Sequence, residues 1–231
     1  MLFESSTHPG ELTTLKQYVE RMKPEQTQIF YLTGESRKII ENSPHLEAVR
    51  AKGYEVLYLS DAVDELLVQH LEEFEGKRLK SVGKGTVGLG TEEEKKQAEE
   101  RIKKKEEKYK RLMEAWHKKL ESSVKQVRLS TRLVNYPVCL VAGEHEYSPQ
   151  LERLLQRGKG SGPKQRRILE LNAEHLLIRR LQERFQANEA DPWVESSFEL
   201  LYELALIAEG SEMADPVRFQ QVTLQLLEKA L

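Results

Sequence analysis

Cysteine is almost absent from this sequence: among 231 residues only Cys139 carries a thiol. A single thiol excludes an intramolecular disulfide framework and fits a reducing compartment. Long apolar runs are missing too, with no stretch approaching the roughly eighteen residues of a membrane span. The opening residues 1–6 (MLFESS) have neither a basic segment nor a sustained apolar one, so no export signal is expected and the expected location is cytoplasmic. No charge sign dominates: 36 Lys and Arg stand against 38 Asp and Glu, a net charge of −2. No global basic field therefore draws the chain to nucleic acid or to a membrane. The six histidines (8, 45, 70, 117, 145, 175) are scattered. None pairs with Cys139 or with another histidine at ligand spacing, so no metal is expected.

What is present falls into three zones. Residues 11–82 alternate helical and strand patterns. Helices are predicted over 12–23 (Leu15, Val19 and Met22 on one side, stopped near Pro24), 35–42, 44–52 (closed by Gly53) and 61–73. Strands are predicted over 28–33, 55–59 and 78–82. This alternation predicts a small α/β layer with parallel pairing. Residues 83–122 begin with a glycine-rich segment, expected to be a flexible linker, and continue as a long charged helix from Thr91. Thr91 and Glu94 form a capping-box pattern, and Glu92/Lys96, Glu99/Lys103, Glu100/Lys104 and Glu114/Lys118 stand at i,i+4. This helix has little to bury before Tyr109. Leu112, Met113, Trp116 and Leu120 then form a stripe, which predicts a bridge that stands in solvent at its start and docks at its end. Residues 123–231 predict a second, α+β domain with strands over 124–129, 138–142 and 167–171 and helices over 149–156 and 174–185. The expected division is 1–90 and 91–231.

The chain closes with two helices, 191–210 and 215–231, whose apolar residues spread wider than one stripe. Gly210 is placed to end the first, and Asp215 and Pro216 to start the second. A helix pair apolar on two faces needs a partner, so this end is predicted to be an association surface.

Signals of chemistry are weak. The run Gly83, Gly85, Gly88, Gly90 lies between a strand and a helix, where anion sites form. Its spacing matches neither the P-loop nor the dinucleotide pattern, and Glu92, Glu93 and Glu94 would repel a phosphate. A nucleotide- or phosphate-binding α/β enzyme domain built on this loop is the alternative reading. Residues 157–167 are basic and glycine-rich but carry no aromatic platform for nucleic acid. Cys139 lies in an apolar strand and reads as a buried, inert thiol. No pair of acids stands out as catalytic. Residues 147–155 form a short amphipathic helix in which Leu151 is expected to pack inward and Leu154 and Leu155 to offer an apolar contact.

The order of segments resembles the heat-shock protein 90 family of molecular chaperones. Tyr18-Val19-Glu20-Arg21-Met22-Lys23, Ile29-Phe30-Tyr31-Leu32-Thr33-Gly34-Glu35 and His70-Leu71-Glu72-Glu73-Phe74-Glu75-Gly76-Lys77 resemble that family's middle domain. Arg132-Leu133-Val134 before Pro137, Leu169-Glu170-Leu171-Asn172-Ala173-Glu174-His175 and Leu201-Tyr202-Glu203-Leu204-Ala205-Leu206-Ile207-Ala208 resemble its carboxy-terminal domain. The family usually has Pro-Asp at Ala173-Glu174. The resemblance implies the end of an α/β middle domain followed by an α+β dimerisation domain, of the bacterial type, whose last helices form an intermolecular four-helix bundle. It implies that ATP and Mg bind an amino-terminal domain outside this chain, so that no catalysis and no cofactor are expected here. It implies a homodimer that holds unfolded or partly folded client proteins and works with the DnaK chaperone system. Tetratricopeptide co-chaperones are not expected, for want of a MEEVD tail. By position the client contacts are Glu65, Leu66, Gln69, Tyr147, Leu154 and Leu155, with Leu66 aliphatic where bacterial relatives often have an aromatic residue. The expected dimer residues are Trp193, Phe198, Leu201, Leu204, Ile207, Phe219, Val222, Leu226 and Leu227.

Overall fold

The computed structural model describes residues 1–159 and 165–230. It opens with two short strands that periodicity does not predict, β1 (Phe3–Ser5) and β2 (Leu12–Thr13). Residues 12–13 extend instead of starting the helix because Thr14 caps α1 (Leu15–Arg21). Its hydroxyl accepts from the Gln17 amide at 3.2 Å, and the Gln17 side chain accepts from the Thr14 amide at 2.9 Å, the reciprocal arrangement that sets a helix start. Then follow β3 (Gln28–Thr33), α2 (Arg37–Glu41), a 3-10 turn (Pro44–Leu46) leading into α3 (Glu47–Ala51), β4 (Leu57–Leu59), α4 (Ala62–His70), β5 (Glu73–Phe74) and β6 (Lys77–Ser81). The helix predicted to reach residue 73 stops at His70, and Glu73 and Phe74 turn back to pair with Arg78 and Lys77.

These strands form one sheet in the order β2-β1-β4-β3-β6-β5. β3 is parallel to both β4 and β6, whereas β1 joins β4, and β5 joins β6, antiparallel. Parallel pairing thus holds only at the centre, where helical crossovers connect the strands; the edges come from tight local turns. Side chains of β3 alternate between two cores. Phe30 and Leu32 pack with Ile40, Leu46, Val49 and Val56, and Ile29 and Tyr31 pack with Tyr18, Leu57 and Leu59. A strand buried on both faces reads as a continuous apolar run for this reason.

Helix α5 (Glu92–Lys119) starts at Thr91 with the capping box intact. None of the four anticipated i,i+4 pairs closes to ion-pair distance. Glu92 instead meets Lys95 at 2.6 Å and Glu94 meets Lys52 at 2.5 Å, which leans the helix on the first layer. Beyond it lie β7 (Val124–Leu129), β8 (Val138–Val141), α6 (Pro149–Lys159), β9 (Arg167–Leu171), α7 (Leu176–Ala187), α8 (Pro192–Glu209) and α9 (Pro216–Ala230). β9 is the middle strand of a second sheet, parallel to β7 and antiparallel to β8. The core against it contains Tyr109, Leu112, Trp116, Leu140, Leu169, Phe185 and Val194. Trp116 stacks on Phe198 with centroids 4.5 Å apart and planes 13° from parallel, a geometry that adds to simple burial.

Three residues assigned to the dimer surface are therefore inside their own chain. Phe198, Leu201 and Val222 are buried: α8 has two apolar faces and turns one of them onto β8 and α5, and α9 lies against α8, where Val222 faces Leu120 and Tyr202. Gly210 ends α8 in the left-handed conformation (φ 80°), which glycine adopts without strain. Segment 83–90 is not a free linker. Val82 and Val87 are buried in the first layer's core, and Lys84 bridges to Ala142 of the second. Among the described residues no helix is long and apolar enough to cross a membrane, and no group of three metal-ligating side chains converges. Cys139 is buried, and burial pushes its thiol well above the ordinary range. The basic segment 157–167 includes residues 160–164, which lie outside the described residues, as does Leu231.

Candidate functional site at the junction of the two layers

The two layers are tied by buried charges. Glu170 on β9 sits between two arginines. Arg128 reaches one carboxylate oxygen at 2.6 Å; Arg132 Nε reaches the other at 3.0 Å, where Ser130 also donates at 2.7 Å. Arg132 then extends its remaining donors across the junction, to the Val82 carbonyl at 2.5 Å and to the Gly85 carbonyl. Burial alone would raise the Glu170 carboxyl, but Arg132, Arg128 and the Ser130 hydrogen bond outweigh it and hold it below the usual carboxylate range,. A second tie is Glu47 at the start of α3. Its carboxylate accepts from the backbone amides of Val134 (2.7 Å), Asn135 (2.9 Å) and Tyr136 (3.2 Å), so that a loop of the second layer forms an anion nest filled by the first.

His45 lies beside this network. Burial, then the Arg132 charge, pushes its pKa down to about 3. A histidine held neutral in the fold but with an ordinary value near 6.5 when unfolded binds more protons unfolded, so stability rises with pH between these limits. Its contribution is fully present above about pH 6.5 and is lost as pH falls toward about 3. Between about pH 7.5 and about pH 5 the loss amounts to about 2 kcal/mol. Urea unfolding at the two pH values should show it, and His45→Gln should flatten the dependence. An unchanged slope in that variant would assign the acid sensitivity to other groups.

Helix α6 occupies the other side of the junction. Ser148 precedes it, accepts from the Leu151 amide at 3.0 Å and donates to the Glu65 carboxylate on α4. Gln150 donates to the Ser60 carbonyl at 3.3 Å, and Arg153 pairs with Glu35 at 3.0 Å. On its inner side Leu151 is buried, and Glu152 pairs with Arg167, which also approaches Glu209 at 3.4 Å. These ties leave Leu154 half-buried and Leu155 exposed.

Between α4, β6 and the loop 142–148 an open cleft of about 690 Å³ results, lined by Tyr31, Gln69, Glu72, Lys80, Glu144 and Tyr147 among others. Lys80 holds both Glu144 oxygens, at 2.5 and 2.6 Å, across its floor. The fold thus brings Gln69 and Tyr147, 78 positions apart in number, to one cleft with both side chains exposed. Leu66 is 55% exposed on α4. Glu65 is not on that surface: it is 1% exposed, under α6, so its role is structural. Sequence reasoning missed Glu47, His45, Arg128, Arg132 and Glu170 as junction residues. Glu170 did leave a signal, as a lone acid within the apolar strand Arg167–Leu171.

The glycine segment has little to offer a phosphate. The Gly83 amide donates to Ser81 and the Gly85 amide to Ala142. The Glu144 carboxylate lies against Gly85, and that of Glu94 against Gly90. Carboxylates stand where an anion would need to sit.

Along α8 and α9 the outward face remains apolar. Leu204 is 42% exposed, Ile207 47% and Leu227 53%, with Val217 and Leu224 also exposed. Trp193, Phe219 and Leu226 are half-buried, and the Arg184 guanidinium lies over the Trp193 ring at 5.2 Å.

The sequence matches the Hsp90 protein family over residues 1–231. The chain belongs to the Hsp90 family. Among curated relatives, the chaperone protein HtpG of Frankia casuarinae is 45% identical over 227 residues, covering 98% of this chain and 35% of that protein. That of Mycobacterium avium is 47% identical over 229 residues (99% of this chain, 35% of that protein), and that of Geobacter metallireducens 44% over 228 (98% and 35%). This Hsp90-family chain therefore spans about a third of the length of these relatives.

Proposed function

We propose that this chain is the client-holding and dimerisation portion of an ATP-driven molecular chaperone of the bacterial HtpG type. In this reading it comprises the end of the middle domain and the carboxy-terminal domain, and acts in protein folding under heat stress in the cytoplasm. ATP and Mg would be bound outside these residues, and the chain itself would catalyse nothing. Its partners would be a second copy of itself, unfolded or partly folded proteins, and the DnaK chaperone system. The observation that carries the reading is the exposed apolar row Leu204, Ile207, Val217, Leu224 and Leu227 on helices α8 and α9, in a chain similar throughout its length to chaperones. Two such rows related by a two-fold axis are self-complementary and would form a four-helix bundle. Dimerisation would also set two clefts facing a common client, adding avidity without new contacts.

The client surface would be Leu66 and Gln69 on α4, Tyr147 at the cleft, and Leu154 and Leu155 on α6. Leu154→Ser/Leu155→Ser should weaken suppression of aggregation of an unfolding protein several-fold while leaving helix content unchanged by circular dichroism. Unchanged suppression at equal chain concentration would remove α6 from the client surface.

A further inference from the structure

One flank of the exposed half of α5 carries a row of cations. Arg101, Lys104, Lys105, Lys108 and Arg111 stand at i, i+3, i+4, i+7 and i+10, which places five cations on one flank over about 15 Å of helix. Glu99 and Glu106 project from the opposite side, each with a lysine at i+4 (Lys103 and Lys110), and Glu100 and Glu107 border the stripe,. Helix α7 lies along this flank: Gln182 donates to the Lys108 carbonyl at 2.7 Å, and Tyr109 donates to the Ala173 carbonyl at 3.1 Å. It brings Arg179 to the same place. Burial lowers the Lys105 pKa, and the charges of Arg101, Arg179 and Lys108 lower it further, so these cations repel one another where they stand.

Two acids partly offset that repulsion. Glu174 pairs with Lys105 and Glu189 with Arg111. Arg101, Lys104, Lys108 and Arg179 make no ion pair within the described residues. Apolar side chains border the stripe at both ends. Leu176 is exposed one turn before Arg179, and exposed Val134 lines a groove together with Ala98 and Arg101.

We propose that this flank, Arg101, Lys104 and Lys108 with Arg179, is a docking surface for an acidic protein segment that also carries apolar side chains. The charge complementarity supplies attraction and orientation, and Leu176 and Val134 take the apolar residues. A protein segment fits better than a nucleic acid. Glu100, Glu174 and Glu183 edge the stripe and would repel an unbroken phosphate backbone, whereas discrete carboxylates can be spaced between them. The surface lies on the long helix, apart from both the cleft and the α8–α9 face, so it is independent of the client and dimer assignments.

The test is fluorescence anisotropy on the intact chain with a labelled peptide of about ten residues in which glutamates alternate with leucines. Binding should be micromolar, should weaken between about 0.05 M and about 0.3 M salt, and should drop at least about tenfold in R101E/K104E/K108E. Those residues are exposed, so the variant should keep the parent's circular dichroism and melting temperature. A serine-for-leucine peptide should bind several-fold more weakly, and L176S should remove part of that difference. No binding to the parent chain, or equal binding to the triple variant, overturns the proposal. So does single-stranded DNA of similar length and charge binding as tightly as the peptide.

Discussion

Leu204→Arg is expected to halve the mass of the chain in solution, and Leu227→Arg to do the same. Fully burying a leucine contributes about 1.5–3 kcal/mol, and Leu204 and Leu227 are about half exposed, so each has about 1 kcal/mol left to gain at an interface that contains it twice. Losing both copies therefore removes about 2 kcal/mol, and bringing two arginines into the same apolar seam adds a desolvation cost of several kcal/mol. Since each 1.4 kcal/mol is about a factor of ten in dissociation constant, the dimer should weaken by at least about a hundredfold. The fold should survive, because Leu204 and Leu227 are 42% and 53% exposed in the single chain. Phe198→Arg makes the contrasting control. That ring is stacked on Trp116 in the chain's own core, so the expected outcome is unfolding. Multi-angle light scattering over a concentration series reads the first effect, and circular dichroism separates it from the second. A parent chain that is monomeric at micromolar concentration, or a Leu204→Arg chain that remains dimeric, would reject this interface.

Glu170→Ala should cost the fold about 3–5 kcal/mol, the range for removing one partner of a buried ion pair. Arg132 and Glu170 are each about 2% exposed, and without the carboxylate the Arg132 guanidinium keeps only the Val82 and Gly85 carbonyls as partners. Arg132→Ala should be comparably damaging for the opposite reason, leaving Glu170 with Arg128 and Ser130, the Val82 carbonyl without its arginine donor and the Gly85 carbonyl with Arg128 alone. The double variant should cost less than the sum of the two by about 0.5–3 kcal/mol, the coupling expected of contacting residues. Urea unfolding of the four chains measures it. Additivity would mean that the two side chains act separately and that the junction is held by the Glu47 nest and helix α6.

The elements legible in the sequence were those whose signal is local. Residues 28–33 and 124–129 form strands over the expected spans, the first as an apolar run of strand length and the second as a short β-branched segment anchored by Val124, Val127 and Leu129,. Thr91, Gly210 and Pro216 mark helix boundaries because capping is a property of a few adjacent residues,. Strands β1 and β2 escaped detection because three and two residues carry no period; they exist through pairing with β4 and with each other. The same limit governed the candidate sites. Leu66, Gln69, Tyr147 and Leu155 lie at the surface, but Glu65 on the same helix is covered by α6, and no helical pattern encodes what a distant segment covers. On α8, two apolar faces were visible, and only packing decided that Phe198 and Leu201 turn inward while Leu204 and Ile207 turn outward.

By itself, then, the sequence determined most of the longer helices and strands, where the long charged helix begins, the lack of an intramolecular disulfide, and a family membership carried by motifs spread along the chain. Tertiary structure alone decided the junction. Segment 45–47 (His45 and Glu47), Arg132 and Glu170 come from three separate parts of the chain, and each is an ordinary polar residue in its local context. Their meaning arises on desolvation: Glu170 holds Arg132 within its own layer, and Arg132 and Glu47 then satisfy backbone carbonyls and amides across the junction,. Local periodicity reports which face of an element is apolar, but burial assigns that face to its own core or to another molecule.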